Sequence, residues 1–401
     1  MSEIEPATGS QKSTSVLVLD TTAGSIIHKL FGYLERAGLG QTFALSVLYI
    51  IVVSLTFLPL LIGAMRGPHS LLVRGDHLQV PFFFDLDILF ALLVSLPGLI
   101  ILIVTDQHVL TRSLKTVQLE GTITFPDDEK IRLGSRWKRS FWIVNVVGQT
   151  SGIVVGGIVA YINYRIYDDP KLAYWLVGEQ GLLEAGYIFI YCIFVFYTFI
   201  PIYVFRNIAI SLLLEDVVAH AQLHLVPLHP DRCWGLRPIG RLGLRNQYAL
   251  TLLGINVVLL GWVIYNIGVG TEISDESRYG LVIAAVIAYL ILGPVVFIVP
   301  LLPFRSAMQA NKSKLMSEVV HQLRKKLDER REELPSGMFS KEDEELIERL
   351  RKLCVVIDDL PVWPFDPSTV RKFLTAYVIP VITAIPPFVQ IMLSVFKGPH
   401  Q

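Results

Sequence analysis

Hydrophobic residues in this chain gather into seven long runs, at 42–64, 82–105, 141–163, 185–205, 247–268, 280–304 and 373–396. Each run holds 21 to 25 residues. At about 1.5 Å of rise per residue, a helix of that length covers the roughly 30 Å hydrocarbon core of a bilayer. Helices also satisfy their own backbone where no water is available to do so. The pattern predicts an all-α fold, a polytopic transmembrane helical bundle of six to seven spans, with 42–304 forming six of them.

Between the runs the pattern changes. Residues 1–24, rich in Ser, Thr, Gly and charge, read as a disordered tail. Over 25–37, Ile26, Ile27, Leu30, Phe31 and Leu34 share one helical face ahead of Gly38, which predicts a helix lying in the membrane interface. After the sixth run, Met308, Leu315, Val319, Leu323 and Leu327 recur at helical spacing. Pro335, Ser336 and Gly337 break that helix, and Leu346, Ile347, Leu350, Leu353 and Cys354 begin another behind Ser340 as its cap. Residues 305–360 are therefore expected to form a cytoplasmic helical hairpin.

In "LPVWPFDPSTVRKFL", Asp366 is placed to cap, and Pro367 to open, a last membrane segment over 367–397. Trp363 and Phe365 would sit at headgroup level, with Arg371 and Lys372 as anchors. Pro380, Pro386 and Pro387 each remove a helix hydrogen bond, so this segment either crosses fully or turns back.

Composition narrows the classes. Charged residues make up 17% of the chain and hydrophobic ones 52%, against about 25% charged in an ordinary soluble domain. Only Asp85 and Asp87 carry charge inside the seven runs. Three cysteines argue against a disulfide scaffold, and 35 basic against 35 acidic residues argues against a nucleic-acid partner chosen by bulk charge. The partner implied is the lipid bilayer. Of the Lys and Arg residues outside the runs, 29 fall on one side of the alternating topology and 6 on the other. By the positive-inside rule the amino terminus, 106–140, 206–246 and 305–372 are cytoplasmic, in a cell-membrane protein.

Several constellations are candidates for chemistry. Gly148, Gly152, Gly156 and Ala160 recur every four residues and predict a helix-packing groove. Asn145, Gln149, Asn256 and Asn266 are buried amides that either join helices or line a pore. Asp85 and Asp87 read as a hydrated interfacial cap or as an outer ring that concentrates cations. With Pro380, Pro386, Pro387 and Gln390, they are the pore or gate candidates. Asp216, His220 and His224 fall at four-residue steps, and His229 comes soon after. That donor set suits a divalent metal, although no HExxH signature accompanies it, and no other cofactor is expected. Arg232, Arg237, Arg241 and Arg245 form a basic stretch facing anionic lipids. No phosphate-cradling Gly-rich loop, GxSxG elbow or CxxC pair occurs.

The motifs "HPDRCWGL" (229–236) and "WPFD" (363–366) resemble those of uncharacterised prokaryotic multi-pass membrane proteins. The plan as a whole is similar to insect chemoreceptor-type ligand-gated channels. It shares seven spans, an inner amino terminus, fourth and sixth helices prolonged into the cytoplasm, and a short helix before the final span. Thr375, Tyr377 and Gln390 are present, at a spacing different from that family's Thr-Tyr…Gln-Phe signature. The resemblance implies a homo-oligomer whose last helix lines the conduit. The leading expectation is an oligomeric channel or transporter-like protein. The alternatives are a membrane-embedded metal-dependent enzyme using Asp216, His220, His224 and His229, and a membrane scaffold or signalling protein acting through the hairpin.

Overall fold

The structure, a computed structural model, describes residues 17, 19–36, 40–67, 71, 80–168, 174–178, 181–227, 229–268, 287, 289–291, 293–329 and 341–396. Side chains are placed throughout these except at 264–268, 329, 341–343, 381 and 383–396. The chain is an all-α membrane protein. A short helix, α1 (Ile26–Arg36), precedes six helices long and apolar enough to cross a bilayer. These are α2 (Gln41–Arg66), α3 (Leu86–Leu119), α4 (Asp127–Tyr167), α5 (Glu184–His220), α6 (Arg237–Gly268) and α7 (Tyr289–Asp328). Two more complete the chain, α8 (Lys341–Asp358) and α9 (Pro367–Phe396).

Five of the six overrun their hydrophobic runs at the same end of the bundle. α3 and α5 leave the membrane there and continue to Leu119 and His220, α4 and α6 begin there at Asp127 and Arg237, and α7 runs on to Asp328. The overhangs share an apolar core that includes Leu110, Leu133, Trp137, Leu213, Trp234 and Phe304. Two short strands tie the loops at this end, β1 (Ile123–Thr124) pairing antiparallel with β4 (Gln222–Leu223). At the opposite end, β2 (Val177–Gly178) and β3 (Gly181–Leu182) make a hairpin, and a bridge joins Val80 to Tyr174.

The described end of the expected tail is not free in solvent. Leu17 and Leu19 are buried in the overhang core, and the Leu17 N–H donates to Gln118 Oε1 at 3.0 Å. Two apolar side chains two residues apart outweigh the polar composition around them. α1 divides its apolar face: Phe31 is buried against the bundle, while Ile26 and Leu30 stay exposed. α8 packs on α7 through Val319, Leu350 and Ile357; the break expected at Pro335, Ser336 and Gly337 and the cap expected at Ser340 lie outside the described residues. α9 runs without a break through Pro380, Pro386 and Pro387. Its 30 residues span about 45 Å, so the segment does not turn back.

The glycine stripe packs α4 onto α5. Gly148, Gly152, Gly156 and Ala160 are all buried. A Cβ on Gly156 would lie 2.6 Å from the Phe194 carbonyl oxygen, and one on Gly152 would collide with the carbonyl of Thr198. The two backbones touch because no side chain stands between them, which is how helices gain contact in lipid. Gly157, one residue round the helix, faces open space. Gly152→Leu should therefore destabilise the detergent-solubilised protein by at least about 3 kcal/mol, the upper part of the range for overpacking. Gly157→Leu should leave the thermal midpoint unchanged, and equal midpoints for the two variants would refute the assignment of this interface.

Candidate functional site

Of the two carboxylates inside the hydrophobic runs, one is enclosed by protein and the other, Asp87, is half-buried. Asp85 is 1% exposed. Its carboxylate accepts the Tyr174 hydroxyl and the Trp175 Nε1–H, the latter at 3.1 Å, and its Oδ1 caps the start of α3 at the Ile88 N–H. Asp87 accepts Asn256 Nδ2 at 3.2 Å, and Asn256 in turn bonds Ser95. Asp85 is thus sealed rather than hydrated, because Tyr174 and Trp175 fold over it, while half-buried Asp87 is tied to Asn256. Asn256 acts as a join between α6 and α3.

A second ionic cluster lies where the spans pass into their overhangs. Arg206 on α5 is fully buried. Its Nε donates to Asp106 Oδ2 on α3 at 3.3 Å, and its Nη1 to Asn145 Oδ1 on α4 at 2.8 Å and the Thr21 carbonyl at 3.1 Å. Arg245 on α6 pairs with the other carboxylate oxygen, Nη2 lying 3.1 Å from it, and donates to Thr105 Oγ1 at 2.6 Å and to the Leu102 carbonyl. One aspartate therefore holds two guanidinium groups from two helices. Asn145 and Gln149 reach back to the carbonyls of Ala23 and Gly24, at 2.7 and 2.9 Å, and so clamp the amino-terminal segment into the bundle.

His28 completes the cluster, with Nδ1 2.8 Å from Ser25 Oγ and Nε2 3.4 Å from Arg206 Nη2. For Nε2 to accept from Arg206, Nδ1 must carry the proton and donate to Ser25. Burial, reinforced by the Arg206 charge, pushes the imidazole down to about 3 and keeps it neutral. Asp106 and Arg206 are hidden in the sequence because each stands one residue beyond the end of a hydrophobic run, where a charge reads as a flank. The signal that could have found them is their position on helices that continue past the membrane.

The candidate metal ligands divide among three partners. Asp216 accepts Trp137 Nε1 at 2.6 Å and pairs with Arg136, with His220 Nδ1 at 3.2 Å. His224 turns to Thr124 Oγ1 at 3.1 Å, and His229 to Asp231 at 2.8 Å. Among the described residues no group of three or more His, Cys, Asp or Glu side chains could hold a metal ion. The helix that would present Asp216, His220 and His224 together ends at His220, and the chain leaves it for β4.

The HPDRCWGL motif is a turn organised by one carboxylate. Asp231 accepts the N–H groups of Cys233 at 2.8 Å, Gly235 at 3.0 Å and Arg237 at 3.2 Å. Burial opposes its charge, yet these donors and His229 outweigh it and hold the carboxyl below its usual range. The loop closes so tightly that Arg232 and Trp234 adopt positive φ, 56° and 59°. Burial pushes the Cys233 thiol up to about 12, so it is inert.

The WPFD motif meets this turn directly. Asp366 caps α9 through the Thr369 N–H at 3.1 Å and pairs with Arg237 Nη2 at 2.8 Å. Burial opposes this charge too, but the Thr369 and Ser368 donors outweigh it and draw the carboxyl to about 2. Gly240 lets the Pro364 carbonyl approach the α6 backbone, where any Cβ would clash. Of the four arginines expected to face lipid, Arg245 is instead in the ion network and Arg237 in this elbow, because each has a buried carboxylate within reach. Arg232 and Arg241 are exposed. Pro380 is buried, while the side chains of Pro386, Pro387 and Gln390 lie outside the described residues.

No protein-family model matches the chain, and neither does any curated protein or solved structure.

Removing one member of a buried ion network leaves the others unpaired, at about 3 to 5 kcal/mol. Arg206→Met should cost that much in denaturant unfolding and expose the amino-terminal segment to protease; a loss under about 1 kcal/mol would sink the assignment. His28 is protonated in the unfolded chain below about pH 6.5, its unperturbed value, but in the folded chain only near 3. The unfolded state therefore binds the extra proton in between, so stability is full above that upper limit and falls as pH drops through 6 and 5. His28→Asn should flatten that slope.

Proposed function

We propose that the chain is one subunit of an oligomeric channel or transporter-like protein of the cell membrane, with its amino terminus in the cytoplasm and α9 beside the conduit. The observation that carries this is the place of α9. It packs on α6 and on the first turns of α7, through the Tyr289–Tyr377 stack at 5.6 Å and the Thr251 hydroxyl donating to the Ala376 carbonyl at 3.0 Å. Its other side is exposed, with Ile379 beside the stripe of Leu374, Val378 and Ile382. A helix at the edge of its own bundle lines a conduit only between copies of the chain, which is why the reading requires an oligomer.

The cytoplasmic hairpin gives the conduit a handle. α8 leads through the WPFD elbow straight into α9, and Asp366 fixes the elbow to α6 through Arg237. A displacement of the hairpin therefore reaches α9 as a rigid turn about that ion pair. The overhang layer on the basic side agrees with the inner orientation given by the Lys and Arg bias.

Purified full-length protein in vesicles should pass small ions, and a cysteine at Ile379, exposed beside that stripe, should cross-link copies of the chain on oxidation. Asp366→Ala, which removes a helix cap worth about 0.5 to 2 kcal/mol together with the ion pair, should alter flux more than it alters folding. Ion-tight vesicles together with a monomer in native mass spectrometry would overturn the reading.

A further inference from the structure

Beside the elbow lies an open cleft of about 620 Å³, walled by Arg232, Trp363, Phe365, Val370, Arg371 and Leu374 among others. Its lining is mostly apolar, yet two guanidinium groups stand at its rim. Arg232 and Arg371 are both exposed, and among the described residues neither has an ion-pair partner. Arg237, the next arginine along, shows the contrast, since its charge is already matched by Asp366. The Trp363 ring is held in place from both sides, stacked on Phe365 at 5.2 Å and under the Arg305 guanidinium at 4.5 Å.

The cleft stands where the charged inner layer gives way to the apolar span. Above Leu374, exposed Val378 and Ile382 continue along α9 at four-residue steps, so one apolar stripe leads from the cleft up the side of the helix. The site therefore offers two unmatched positive charges, an amphipathic ring and a track for a hydrocarbon chain within one cleft.

We propose that this cleft binds one anionic phospholipid of the inner leaflet, its phosphate between Arg232 and Arg371, its glycerol region against Trp363 and an acyl chain along Leu374, Val378 and Ile382. A free phosphate would meet the two charges but leave the apolar wall wet, and a zwitterionic lipid would bring its own cation against the arginines. The site rests on the assignment of the spans and their inner end; it stands whether or not α9 lines a conduit. A lipid so placed touches the 229–236 turn and the 361–375 elbow together, and so braces the joint between α6 and α9.

The test is binding of phosphatidylglycerol to the full-length detergent-solubilised protein, read by native mass spectrometry and thermal shift. Phosphatidylcholine and inorganic phosphate are the comparison ligands. Phosphatidylglycerol should be retained and raise the midpoint, while the other two do neither. The Arg232→Gln/Arg371→Gln protein should bind it about thirty-fold more weakly, at about 1 kcal/mol for each charge. Arg232→Lys/Arg371→Lys should restore most of the affinity, which separates lost charge from lost folding. Leu374→Asp should weaken the lipid without creating a phosphate site. Equal retention of phosphatidylcholine, unchanged affinity in the double glutamine protein, or a second copy of the chain cross-linked into the cleft would each overturn the proposal.

Discussion

The overhang half of the bundle is organised around one carboxylate. Asp106 is shared by Arg206 and Arg245, and through them α3, α5 and α6 are joined at a depth where water is scarce. Two cations on one anion would leave a buried positive charge, so every remaining donor must find an acceptor. Carbonyls of Leu102, Thr105 and Thr21 supply them, with Asn145. This explains why the amino-terminal segment is part of the fold: its Thr21 carbonyl completes the solvation of Arg206, which is fully buried. Such a cluster adds little net stability compared with apolar packing, but it penalises every other register of these helices, because a misplaced guanidinium in the interior would have nothing to bind.

The second organising feature is mechanical. The two motifs lie about 130 residues apart in sequence and meet as one joint, Arg237 against Asp366 and Gly240 against Pro364. Each half is preformed by a carboxylate that binds its own backbone, Asp231 in the first and Asp366 in the second. The joint thus connects two rigid pieces, and the α7–α8 hairpin and α9 share it. Aromatic rings extend it into the membrane, from Phe365 to Phe297 at 5.5 Å, to Phe373 at 4.2 Å and on to Tyr377 at 5.7 Å.

The helices and their amphipathic faces could be read from the sequence because each is a local property. The glycine stripe, the α7–α8 hairpin and the Asp366 cap all depend on residues within a few turns of one another. The site could not be read in the same way. Arg245 and Arg237 look alike in sequence, and only the approach of Asp106 and Asp366 from distant segments tells them apart from Arg232 and Arg241. His220 and His224 are four residues apart, as metal ligands on a helix would be, but the helix stops between them. Asp85 lies near the end of a hydrophobic run, and nothing local reveals that Tyr174 and Trp175 return across the membrane face to cover it.

α3 passes through a π-helical turn at Ala91–Ser95 before resuming at Leu96. Such a turn amounts to one residue more than a regular helix would hold, which rotates the outer part of α3 by about 100° relative to the inner part. Asp87, ahead of this widening, and Ser95, its last residue, both reach Asn256. The angular offset between the two halves of the helix is therefore written into a single surplus residue. Excising one position from this stretch would keep every hydrophobic residue in the membrane, yet turn Asp85 and Asp87 away from their partners and toward the hydrocarbon.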